Sequence, residues 1–125
     1  MYTVLLVDDQ ELFRDIARSM FESSGVFKVV AEALDGVDAV NLYPVVSPDL
    51  VLMDVQMARM NGFEATKKIL ESDPSASVVL VSMRADAEYD RTGKELGALG
   101  FIAKRDLNAE SIRSMIENRQ KKMVA

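Results

Sequence analysis

The sequence predicts an α/β fold, a parallel sheet covered by helices on both faces. Three observations lead there. Five short apolar runs alternate with five amphipathic segments along the 125 residues, and alternation of that kind builds parallel sheets through right-handed crossovers. Four of the runs are continuously apolar rather than alternating, as strands buried on both faces are. Four of them close on a polar or charged residue: Val4-Leu5-Leu6-Val7 on Asp8-Asp9, Leu50-Val51-Leu52-Met53 on Asp54, Val78-Val79-Leu80-Val81 on Ser82, and Phe101-Ile102-Ala103 on Lys104.

The first strand is read over residues 3–7. A helix follows over 10–23, with Leu12, Phe13, Ile16, Ala17, Met20 and Phe21 recurring at helical spacing on one face. Gly25 stops it, as glycine just past a helix end does. The second strand covers 28–33. Asp35-Gly36 marks a turn into a short helix over 37–43, and Pro44 and Pro48 bracket a loop. The third strand ends at Asp54. Asn61-Gly62 turns the chain into a helix over 63–72, which Asp73-Pro74 ends. The fourth strand ends at Val81. The helix over 86–96 has the weakest pattern, because Gly93 inside it costs about 1 kcal/mol relative to alanine. The fifth strand is 101–103. The last helix runs over 109–121, capped by Asn108 or Asp106, with Ile112, Met115 and Ile116 facing inward. No repeat or linker interrupts the series, so residues 1–125 are expected to form a single domain.

Composition removes several classes of function. Cysteine and histidine are both absent. Disulfides, zinc sites built on those residues, thiol nucleophiles and Ser-His-Asp arrangements are therefore excluded. A net charge of −5 makes the domain unsuited to bind nucleic acid by itself. The one basic cluster, Arg119, Lys121 and Lys122, sits where cations offset the dipole of a last helical turn. No signal peptide precedes the first strand, and no apolar stretch reaches the roughly 20 residues that span a bilayer. A cytoplasmic protein without a membrane partner is expected.

In open α/β sheets the carboxyl ends of the strands carry the chemistry. Parallel strands would place three acids, a hydroxyl and an ammonium around one point there. Magnesium takes oxygen ligands, usually one or two carboxylates with phosphate oxygens, and Asp8, Asp9 and Asp54 suit that demand. A carboxylate also attacks phosphorus, and phosphoryl transfer needs mainly positioning and charge neutralisation. Lys104 and the Ser82 hydroxyl could supply contacts to phosphoryl oxygens. Each residue has a plainer reading: Asp8 and Asp9 as helix caps, Asp54 as a loop acid, Ser82 as a cap, Lys104 as a solvated cation. Only the combination is specific.

Val7-Asp8-Asp9, Met53-Asp54-Val55-Gln56-Met57, Met60-Asn61-Gly62, Val81-Ser82 and Gly97-Ala98-Leu99-Gly100-Phe101-Ile102-Ala103-Lys104 occur in this order along essentially the whole chain. In these motifs the chain resembles the receiver domain of bacterial two-component response regulators. The resemblance implies a flavodoxin-like, doubly wound five-stranded parallel sheet in the order 2-1-3-4-5, flanked by five helices. It implies Asp54 as phosphoacceptor and a Mg2+ cofactor held by Asp8, Asp9, Asp54 and the main-chain carbonyl of Gln56. It implies Ser82 and Lys104 as the groups that bind the phosphoryl moiety, and Phe101 as the aromatic that changes rotamer on activation, although Phe101 also reads as a plain core residue. The donor would be a sensor histidine kinase or a histidine phosphotransfer protein. The output would be an attached domain, a downstream protein or a homodimer, through the surface of the fourth helix, fifth strand and fifth helix.

The chain departs from the family at three places. Met57-Ala58 stands where Met-Pro is frequent. Arg105 follows Lys104 where a cis proline is frequent, and because a non-proline cis bond costs roughly 3 kcal/mol a different local turn is expected. Lys104-Arg105-Asp106-Leu107 is closer to receivers paired with helix-turn-helix output domains. Met83 replaces a small residue after Ser82, where its thioether could slow access to the site. Gln56 and Arg84 fall at variable positions that flank the phosphoryl site and are read as tuning the lifetime of the aspartyl phosphate.

Three other readings compete. A phosphatase of the haloacid dehalogenase type needs a second acid two residues after the nucleophile, and Gln56 stands there. A flavin carrier needs a small polar loop after the first strand, and Asp8-Asp9-Gln10 would repel a flavin phosphate. A degenerate receiver that acts only as a protein-interaction module remains the alternative. No enzymatic activity beyond the chain's own phosphorylation and dephosphorylation is expected.

Overall fold

The computed structural model describes residues 1–124. Five strands, β1 (Tyr2–Val7), β2 (Phe27–Ala33), β3 (Leu50–Asp54), β4 (Val78–Ser82) and β5 (Gly100–Ala103), alternate with five helices. The helices are α1 (Glu11–Ser23), α2 (Gly36–Val46), α3 (Gly62–Ser72), α4 (Ala87–Leu96) and α5 (Ala109–Val124). All strand pairs are parallel, in the order β2-β1-β3-β4-β5. The chain winds one way from β1 to β2 and the other way from β3 onward, so the switch point lies between β1 and β3.

Alternate residues of each strand feed two cores. Leu5, Val7, Val51, Met53, Val78 and Leu80 pack against Ala39 and Tyr43 of α2 and Ala65 and Ile69 of α3. Val4, Leu6, Leu50, Leu52, Val79 and Val81 pack against Ala17 and Phe21 of α1 and Ile112 and Ile116 of α5. Phe21 and Phe27 are fully buried with ring centroids 4.9 Å apart. Each such side chain contributes roughly 1.5–3 kcal/mol on leaving water.

The helices begin and end where local chemistry dictates. Asp35, Asn61 and Asp86 cap α2, α3 and α4 by accepting main-chain N–H groups from Asp38, Glu64 and Glu88. The Asn108 carboxamide oxygen accepts the Ser111 N–H at 2.8 Å and caps α5. Gly93 packs closely on β4: a Cβ there would meet Leu80 Cδ1 at 2.7 Å and would displace that methyl. The glycine that weakens the α4 pattern is thus what lets α4 lie close on β4.

Three sequence expectations are corrected. Pro44 lies inside α2 rather than in a loop; the helix runs on to Val46 and closes at Ser47, which is left-handed at φ 43°. Leu12 and Ile16 do not join the buried face of α1 and are 73% and 56% exposed. Only Ala17 and Phe21 are buried there, because the contact with the sheet is narrower than the apolar stripe. Arg119 is not a last-turn cation, since α5 extends to Val124. Its guanidinium donates to the carbonyls of Ala76 and Pro74 and to Ser77 Oγ, tying α5 to the entry of β4.

Candidate functional site

The parallel sheet determines where the polar strand-closing residues meet. Val7 pairs with Met53, Asp54 with Val81 and Ser82 with Ala103. The residues that follow or close these strands therefore emerge along one edge. Asp8, Asp54 and Ser82 are buried there, at 1%, 5% and 3% exposure, while Asp9 is exposed. One carboxylate oxygen from each of Asp8, Asp9 and Asp54 lies within 4.8 Å of the others.

Lys104, the first residue beyond β5, places its Nζ 2.7 Å from Asp8 Oδ2 and 3.6 Å from Asp54 Oδ2. The Phe13 ring lies under it, with 4.4 Å from Nζ to the centroid, an attraction that strengthens where water is excluded. Asp8 uses its two oxygens differently. Oδ1 accepts the Gln10 N–H at 2.8 Å just before α1. Oδ2 is fully buried and takes no aligned hydrogen bond, so the Lys104 ion pair alone compensates it. Asp8 is not the cap of α1, whose N-cap residue is Gln10 and carries no side-chain cap; Oδ1 holds the Gln10 N–H just before the helix while Oδ2 faces Lys104.

Asp54 is electrostatically uneasy. Burial first, then the negative charge of Asp8, pushes its carboxyl up to about 6 against the pull of Lys104 and of the Gln56 N–H. That N–H approaches Asp54 Oδ1 at 3.4 Å. The donor set is all oxygen, anionic and converging, with one buried oxygen held only by an ammonium. It fits a hard divalent cation such as magnesium, which would offset both the burial and the Asp8 repulsion that raise Asp54.

The loops hold this edge in shape. After β3, the Val55 N–H donates to Val81 O and the Gly62 N–H to Val55 O, each at 2.9 Å. Gly62 admits no Cβ, which would run into the main-chain carbonyl of Asp54. Arg59 is left-handed at φ 63°, and its guanidinium clasps Asp35 at 2.6 Å and Asp38 at 3.0 Å across the start of α2. The Asp35 carboxyl is consequently held below its usual range, chiefly by that Arg59 hydrogen bond. After Lys104 the chain makes a 3-10 turn over Lys104–Asp106, the different turn expected where proline is missing. No cis peptide occurs among the described residues.

The remaining sequence-derived candidates take these places. The Gln56 carboxamide donates to Tyr89 Oη at 3.1 Å. Met83 is 67% exposed and Arg84 is exposed, with the Arg84 N–H 3.5 Å from Ser82 Oγ. Phe101 is half-buried, its ring meeting Tyr89 edge-on at 6.0 Å. The sequence placed Phe13 on the apolar face of the first helix and Asp35 in a turn, without a role at the site, and did not single out Arg14, Arg59 or Tyr89. Arg14, which donates to Asp8 O at 2.8 Å and pairs with Glu32, belongs to the polar side of the α1 pattern. Only the three-dimensional return of β1 and β2 makes it part of the site.

Comparison with known proteins gives one family. The model described as response regulator receiver domain matches residues 4–117. The chemotaxis protein CheY of Halobacterium salinarum is 39% identical over 101 residues, covering 81% of this chain and 82% of that protein. The transcriptional regulatory protein DegU of Brevibacillus brevis is 32% identical over 109 residues, 87% of this chain. This chain spans only 46% of that regulator's length. The structure of a CheX–CheY–BeF3–Mg complex from Borrelia burgdorferi superposes with a TM-score of 0.78 at 27% identity, covering 94% of this chain and 87% of that one.

Proposed function

The chain belongs to the response regulator receiver domain family, and from that premise we propose that it is a phosphorylation-dependent switch in which Asp54 accepts a phosphoryl group. Residues 1–125 are taken as one receiver domain. The observation that carries this reading is the convergence of Asp8, Asp9 and Asp54 within 4.8 Å, beside the Lys104 ammonium, at the carboxyl edge of the sheet.

In this reading Asp8, Asp9, Asp54 and the Gln56 main-chain carbonyl hold magnesium. When bound, the cation neutralises the acids and the phosphoryl oxygens. An Asp54 carboxylate oxygen forms the bond to phosphorus while the bond from phosphorus to the donor's imidazole nitrogen breaks, its electron pair leaving with the imidazole. The donor is a histidine kinase or a histidine phosphotransfer protein. Ser82 and Lys104 bind the transferred phosphoryl oxygens, so Lys104 exchanges its contact with Asp8 for one with phosphate.

Phosphorylation is then a local charge change that biases a two-state element. Ser82 ends β4, Lys104 directly follows β5, and Phe101 lies three residues before Lys104. Their rearrangement reshapes the groove lined by Asp90, Lys94, Leu99, Phe101, Ser111 and Met115 between α4, β5 and α5, which serves as the output face. Exposed Met83, Arg84 and the Gln56 carboxamide flank the acceptor and set how long the acyl phosphate survives.

Beryllofluoride with magnesium, a stable stand-in for the aspartyl phosphate, tests the reading by NMR. The amides of Asp54, Ser82, Phe101 and Lys104 are expected to shift together, and only when both components are present. An unchanged spectrum would overturn it.

A further inference from the structure

We infer that Tyr89 is a positioning residue that latches the Gln56 carboxamide to α4 and so ties hydrolysis at Asp54 to the position of that helix; this rests on the phosphoacceptor reading above. Gln56 stands two residues after Asp54, and its main-chain N–H already points at Asp54 Oδ1. Its side chain reaches α4, with Nε2 donating to Tyr89 Oη at 3.1 Å.

Tyr89 is well held to receive it. It lies in the first turn of α4, and the Asp86 carboxylate that caps this turn accepts the N–H groups of Glu88 and Tyr89 at 2.9 and 3.3 Å. Its ring is wedged between two others, edge-on to Phe63 of α3 at 5.5 Å and 74° and to Phe101 of β5 at 6.0 Å and 76°. Edge-to-face pairs of this spacing are favourable and directional. One side chain thus joins the loop after β3, α3, α4 and β5. This route from the Asp54 loop to Phe101 does not pass through Ser82.

The chemistry gives the latch a direction. A free carboxamide two residues from the acyl phosphate can accept a hydrogen bond from a water and align it on phosphorus. Held on Tyr89 Oη through its NH2 group, the side chain is drawn toward α4, so its oxygen is not free to swing to a water at phosphorus. Hydrolysis is therefore slow while α4 keeps Tyr89 in place, and any partner that shifts α4 or rotates Phe101 shortens the lifetime of the signal.

Two measurements test this, one of which needs no phosphate. In the metal-free protein, Y89F is expected to shift the Gln56 side-chain amide NMR signals, and Q56A to shift the Phe101 ring signals. If neither moves, the latch is refuted whether or not Asp54 accepts phosphate. In protein loaded from acetyl phosphate and magnesium, Y89F is expected to dephosphorylate at least threefold faster than wild type, with its uptake unchanged. On the Q56A background the same substitution is expected to change nothing. An equal effect of Y89F with and without Gln56 would assign Tyr89 a merely structural role and overturn the proposal. Failure of every variant to load would instead count against the phosphoacceptor reading, leaving the amide shifts to decide the latch.

Discussion

Lys104 and Asp8 form a 2.7 Å ion pair with both side chains nearly removed from water, 7% and 2% exposed. The pair spans the sheet from the residue after β5 to the residue after β1. Removing one partner of a buried pair leaves the other uncompensated, which costs far more than the pair contributes. Lys104→Ala is therefore expected to destabilise the metal-free protein by on the order of 3 kcal/mol in urea unfolding. Millimolar magnesium should recover more of that loss in the variant than it adds to wild type, because a dication replaces the missing cation. Equal stability of the two metal-free proteins would contradict this account of the ion pair.

Asp54 acts in the opposite sense. Its carboxyl is pushed from an ordinary value near 3.8 to about 6 by burial and by Asp8. The folded state therefore holds this proton more tightly than the unfolded state. Stability is lost as pH rises between about 4 and 6, and the cost is fully present above that window. Asp54→Asn keeps the shape without the charge. Without metal at pH 7 it should be more stable than wild type by about 1–3 kcal/mol, the upper figure being the whole shift converted to energy. The gap should close as pH falls toward 4. A constant gap across that range would show that the charge of Asp54 is not the cause.

Gly62 makes a third case. It follows the Asn61 cap and lies against the backbone of Asp54, so a Cβ would collide with that carbonyl rather than with a yielding side chain. Gly62→Ala is expected to cost about 1–3 kcal/mol from overpacking and to reduce phosphoryl uptake by displacing Asp54. Gly25→Ala is the control. Gly25 has φ +73° with nothing within 4 Å of a Cβ, so it should cost about 1 kcal/mol of left-handed strain and leave uptake intact. Comparison of melting curves and uptake for the two variants separates strain at the site from strain elsewhere.

The fold was legible because its signals are local. Continuous apolar runs, a cap such as Asn108, and punctuation at Gly25 and Asn61-Gly62 each act within a few residues. So were Asp8, Asp9, Asp54, Ser82 and Lys104, since each immediately follows or closes an apolar run and parallel pairing brings such ends to one edge. What remained hidden depends on long-range packing. Pro44 continues a helix that its own sequence suggests should stop, because Tyr43 on that turn is anchored in the core and its hydroxyl donates to Asp73. Leu12 and Ile16 obey helical periodicity yet lie beyond the reach of the sheet. Tyr89 and Arg59 reach their partners across 33 and 24 residues of chain, and no periodic signal marks such pairs.

The most direct test of the central claim is intact mass after incubation with acetyl phosphate and magnesium, with Asp54→Ala alongside. The wild-type chain is expected to gain one phosphoryl group, absent in the variant and absent without magnesium. A wild-type chain that gains nothing, or an Asp54→Ala variant that gains as much, would contradict it.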